Sequence, residues 1–124
     1  MRILHTAAAL ALLSTGASAQ TVVDGSGKEI APDLLKKVIS TVADQTREPE
    51  SARLRRITAG TSQELRAICG EINSKNAIGA YVGYVGFIFF LKTQEANVYE
   101  RAFDDRTARN EQNTDLKEAG CPVW

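Results

Sequence analysis

Between Pro32 and Thr46 the apolar residues fall at Leu34, Leu35, Val38, Ile39 and Val42, which at 100° per residue confines them to one side of a helix. Pro32 suits the first helical position and Asp33 complements the positive end of the helix dipole. Pro49 blocks continuation beyond Arg47 and Glu48. Downstream the period changes to two. Arg53 to Thr58 predicts a short strand. From Gln63 to Asn73, Leu65, Ala67, Cys69, Glu71 and Asn73 alternate with Arg66, Ile68, Gly70 and Ile72, which predicts a second. Asn73 to Asn76 is a run of turn-forming residues. Ala80 to Leu91 then reads as a central strand, with Tyr81, Val85, Phe87, Phe89 and Leu91 on one side and Val82, Tyr84, Ile88 and Phe90 on the other. This segment is shorter than the roughly 20 residues that cross a bilayer as a helix. Val98 to Phe103 alternates once more and predicts another strand, after a turn at Thr93 to Asn97. Asp104 to Ala119 is polar, with Leu116 its one large apolar residue, and predicts a loop and a short helix near Asp115 ending at Gly120.

The pattern predicts an α+β domain in which one N-terminal amphipathic helix packs on a three- to four-stranded antiparallel sheet. Both parities of the central strand are apolar, so each sheet face needs a cover. The helix supplies one, and the C-terminal tail is the candidate for the other. Cys69 and Cys121, the only cysteines, are expected to pair and staple that tail to the sheet. In the chain-entropy model such a loop contributes about 4 kcal/mol.

The first 19 residues change what chemistry is available. Arg2, an apolar run from Ala7 to Leu13 and Ala17-Ser18-Ala19 have the form of a secretory signal peptide cleaved near Ala19. The expected organisation is a signal peptide over 1–19, a flexible leader over 20–30 and one domain over 31–124, located in the periplasm or secreted. Cleavage would remove His5, the only histidine of the 124 residues, and with it Ser-His-Asp or Cys-His catalysis and His-based metal sites. Fifteen basic groups face fifteen acidic ones, and loss of Arg2 leaves one net negative charge. That balance carries no electrostatic footprint for nucleic acid, and no transmembrane segment remains in the mature chain. No cofactor and no metal are expected. Arg53, Arg55, Arg56 and Arg66 form a local basic cluster, expected to be a solvated face paired with Glu48, Glu50 and Glu64.

The segments Glu48-Pro49-Glu50-Ser51-Ala52-Arg53-Leu54-Arg55, Cys69-Gly70-Glu71-Ile72-Asn73-Ser74-Lys75-Asn76 and Gly79-Ala80-Tyr81-Val82-Gly83-Tyr84 resemble a recurring pattern. It is that of a family of small exported bacterial proteins of unknown function with a D-P-x-S-A-x-F turn and a C-G-x-V-N-x-K-N...G-G-Y-x-G-F motif. The resemblance implies an exported domain and no particular activity. The chain departs from it at Glu48, Leu54, Ile72, Ala80 and Tyr84.

Candidate chemistry collects at one hairpin end: Glu71, Asn73, Lys75 and Asn76, with Tyr81 returning on the next strand. As a site, Glu71 would accept hydrogen bonds and Asn73, Lys75 and Asn76 would donate them to an envelope protein or glycan. As architecture, Asn73 and Asn76 would shape the turn while Glu71 and Lys75 pair at the rim. No catalytic residue is identified, since glycoside hydrolysis asks for two carboxylates across a cleft and only Glu71 is a candidate. The expected function is a non-enzymatic binding or inhibitor-like module. The alternatives are a small hydrolase acting on an envelope glycan and a purely structural accessory domain.

Overall fold

The computed structural model describes residues 20–99 and 106–124; the expected signal peptide and Phe103 lie outside them. The elements in chain order are β1 (Thr21–Val22), α1 (Pro32–Ala43), a 3₁₀ turn (Pro49–Ser51), β2 (Arg53–Ala59), β3 (Ala67–Asn73), β4 (Val85–Phe90), β5 (Glu95–Val98) and α2 (Arg106–Glu118). The five strands form one sheet in sequence order. β1 runs parallel to β2, and the pairs β2 with β3, β3 with β4 and β4 with β5 are antiparallel. The fold is thus α+β, with a mixed five-stranded sheet in place of the expected three- to four-stranded antiparallel one. α1 is preceded by β1 and is not the first element.

Several boundaries move for local reasons. The strand expected from Gln63 begins only at Ala67, because Ser62 Oγ accepts the Leu65 N–H in a turn and Arg66 takes a left-handed φ of 41°. The strand expected from Ala80 begins at Val85, since residues 76–83 close a loop of their own. A strand falls at Glu95–Val98, where mostly turn was expected, because the chain reverses within residues 91–94 with Gln94 at φ 59°; most of the strand expected over residues 98–103 lies outside the described residues. Residues 20–30, expected as a leader outside the domain, pack on it. Thr21 and Val22 pair with Arg53 and Leu54, and Ile30 is buried in the core.

The sheet lies between the two helices. On one face Val38, Val42 and Ala43 of α1 pack with Leu54, Ile68, Ile72, Phe87 and Phe89. Gly70 sits opposite Phe87, and a Cβ there would lie 2.7 Å from its ring, so this core requires glycine. On the other face Leu116 and Ala119 pack with Ala67, Cys69, Ile88 and Cys121. α2 buries only one large residue, and its end is fixed in two further ways. Gly120, at φ 68°, donates to Lys117 O while Cys121 donates to Leu116 O, the Schellman pattern that closes a helix. Cys121 is disulfide-bonded to Cys69, with Cα atoms 6.2 Å apart. No helix among the described residues is long and apolar enough to cross a membrane.

Candidate functional site

The residues singled out in the sequence separate into two places. Asn73, Lys75, Asn76 and Tyr81 build a loop at one end of β3 and β4. Asn76 Oδ1 accepts from the backbone N–H groups of Ile78 and Ala80, each at 3.1 Å, and the Asn76 N–H donates to Ala80 O at 2.8 Å. Asn73 Oδ1 accepts from the Gly83 N–H at 2.9 Å. Both asparagines therefore serve the backbone, the architectural role. Their effect is to hold Ala77, Ile78, Gly79, Ala80 and Val82 at the surface. Ile78 is 87% exposed and Val82 52%.

A collar surrounds the base of this tip. Tyr81 lies between Arg53, whose guanidinium carbon is 4.1 Å from the ring centroid, and Lys75, whose Nζ is 5.7 Å away. The Tyr81 hydroxyl donates to Ser51 O at 2.9 Å, and Ser51 Oγ accepts the Lys75 N–H at 2.9 Å. The 3₁₀ turn after Glu48 and the Asn-Ser-Lys-Asn turn are thus locked to each other. Two basic side chains stand beside an apolar tip that has no charge of its own.

Glu71 does not pair with Lys75. It is the one charged residue buried among the described residues, and Arg55 Nε and Arg56 Nη1 reach its Oε1 at 3.0 and 3.3 Å. Arg55 and Arg56 therefore belong to Glu71 and not to the expected Glu48, Glu50 and Glu64. Consecutive strand residues ordinarily point to opposite faces. Here the β2–β3 register shifts between Arg55 and Thr58, and Arg56 adopts a left-handed φ of 54°. This bulge brings both guanidiniums to one carboxylate. The supposed leader holds it: Asp24 Oδ2 accepts the Arg56 N–H at 2.8 Å and Ser26 Oγ accepts the Ile57 N–H at 2.8 Å.

Beyond Glu71 a groove of about 770 Å³ opens between the sheet and α2, lined in part by Tyr84, Tyr99, Gln112, Asp115 and Trp124. Arg55 covers the Tyr84 ring at 3.7 Å, and Arg56 lies 5.8 Å from the Trp124 ring. The Tyr99 hydroxyl donates to Asp115 Oδ2 at 2.7 Å. Burial, and secondly this bond, push the Tyr99 phenol above its ordinary value. Sequence reasoning missed Arg55, Tyr84, Arg56 and Trp124 as partners. Arg53 and Arg55 share a parity but Tyr81 and Tyr84, three residues apart, do not, so a period of two gave no pairing of arginines with tyrosines, and the bulge at Arg56 had no sequence signal.

Among the described residues no cluster of three or more His, Cys, Asp or Glu is placed to hold a metal ion. Searches of protein-family models, curated proteins and solved structures find no match to the chain.

Proposed function

We propose that this protein is an exported binding module, inhibitor-like in that it presents a rigid loop to a protein partner in the periplasm or outside the cell, and that it belongs with the small exported proteins its motifs resemble. The observation that carries this reading is the Ile78 tip, apolar and exposed yet bonded from within by Asn76 and Asn73. A loop already held in one conformation loses little entropy on docking. Burying Ile78 in a partner would contribute roughly 1.5–3 kcal/mol. Lys75 and Arg53 beside it favour a cleft with an apolar floor and an acidic rim. The disulfide fits an oxidising compartment.

A glycan hydrolase finds less support. Glu71 and Asp115 line one groove, but Glu71 is engaged by two guanidiniums and Asp115 by the Tyr99 phenol, so neither is presented as a general acid. The test is capture from a bacterial envelope extract with oxidised protein, parent beside Ile78→Asp and Lys75→Glu. A protein retained by the parent and lost from Ile78→Asp is expected; equal retention by both would refute the loop as the binding surface.

A further inference from the structure

The groove between the sheet and α2 shares no lining residue with the loop tip at 77–82. Its two rings share one support. Glu71 holds Arg55, which covers Tyr84, and holds Arg56, which stands over Trp124. The Tyr84 ring is thus backed by an arginine that a buried carboxylate holds, and the exposed Trp124 ring stands near a second, which places two aromatic surfaces along one groove. Trp124 remains 44% exposed. From α2 the amide side chains of Gln112 and Asn113 and the Asp115 carboxylate line the same groove, a mixture of hydrogen-bond donors and acceptors. Among the described residues the lining carries Arg109 against Glu71, Glu111 and Asp115, and Arg55 and Arg56 are ion-paired to Glu71, so charges of both signs surround the groove. A strongly charged ligand of either sign would meet a like charge there. The volume of about 770 Å³ is in the range that takes a small organic molecule.

We infer that this groove is a binding site for a neutral saccharide of one or two rings, stacked on Tyr84 and Trp124 and bonded through its hydroxyls to Gln112, Asn113 and Asp115. A pyranose offers an apolar face of C–H groups to an aromatic ring while its hydroxyls both donate and accept, which suits this mixed lining. The site does not depend on the loop's partner.

Trp124 is the only tryptophan, so its fluorescence reports on this groove alone. Oxidised full-length mature protein would be titrated with cellobiose and with N,N′-diacetylchitobiose into the tens of millimolar, beside adenosine as a planar heteroaromatic. A saturable change in Trp124 emission with at least one disaccharide is expected. Binding should weaken by about tenfold in Tyr84→Ala and be unchanged in Ile78→Asp. Asn113→Ala, on α2, should weaken it as well and guards against a folding defect in the Tyr84 variant. No saturable change with either disaccharide would overturn the inference. Equal affinity in the parent and both groove variants, or tighter binding of adenosine, would do the same.

Discussion

The carboxylate of Asp24 accepts the backbone N–H of Arg56 at 2.8 Å, tying a Gly-rich segment before α1 to the left-handed residue of the β2 bulge. Without a partner that N–H would point out of a disrupted ladder. With it, Arg56 stays in the conformation that turns its side chain toward Glu71 and Trp124. The bulge is therefore shaped from outside β2, by residues some thirty positions earlier.

A pH dependence follows. The Arg56 N–H, foremost, and Ser26 lower the Asp24 carboxyl from 3.8 to about 2. Because the folded value is the lower one, the stabilisation is complete above about pH 4 and is lost as pH falls toward 2. Asp24 is solvent-exposed, so the effect is modest. Denaturant midpoints measured across this range should decline less steeply in Asp24→Asn than in the parent. Parallel curves would show that this contact does not titrate with folding.

Glu71→Gln keeps the shape of the ion-paired side chain and removes its charge. Two guanidiniums then share a neutral acceptor, and a loss of about 1–2 kcal/mol is expected, tempered because both arginines reach solvent. Urea denaturation measures it. The Trp124 emission of the folded variant should also shift, since Arg56 is no longer held over the ring.

Gly70→Ala places a methyl group 2.7 Å from the buried Phe87 ring. Overpacking of this kind costs about 2 kcal/mol. The position is remote from the loop tip, so partner capture by the folded fraction should be unaffected.

Reduction of Cys69–Cys121 should act unevenly. α2 buries one large apolar residue, whereas β2, β3 and β4 carry the main core. Hydrogen exchange under reducing conditions is expected to accelerate over residues 106–118 well before residues 67–73 and 85–90. A uniform loss of protection would mean that the staple supports the whole domain rather than one helix.

What could be read in the chain, and what could not, follows from the range of each interaction. The α1 stripe from Leu34 to Val42 is local, and its five apolar residues meet the core or its margin. The two parities of the central strand are local too, and Phe87 with Phe89 and Ile88 with Phe90 do face opposite helices. The cysteine pair follows from there being two. β1 has two residues, too few for any period, and its parallel pairing depends on Ala52 and Leu54 accepting from Thr21 and Val23. α2 carried little helical signal because one leucine and a disulfide replace an apolar stripe. At the candidate site, the turn chemistry of Asn73 and Asn76 was legible residue by residue. The partners of Glu71 were not, since a bulge held by Asp24 decides that Arg56 reaches it.

Removing the Asn76 side chain tests the rigidity of the tip separately from its chemistry. Asn76→Ala deletes two hydrogen bonds at 3.1 Å and should cost about 1–2 kcal/mol while leaving Ile78 in place. Affinity for the captured partner should fall by more than the small change in contact surface would explain, with the heat of binding offset by a larger entropic penalty in calorimetry. Unchanged affinity would mean that the tip docks without needing its preformed shape.

The most direct measurement is photocross-linking in intact cells with a benzophenone side chain at position 78, compared with the same group at position 36 on the exposed side of α1. One discrete protein adduct from position 78, absent from position 36 and diminished by Lys75→Glu, is the expected result. Adducts to lipid, or the same adducts from both positions, would contradict a protein-binding loop.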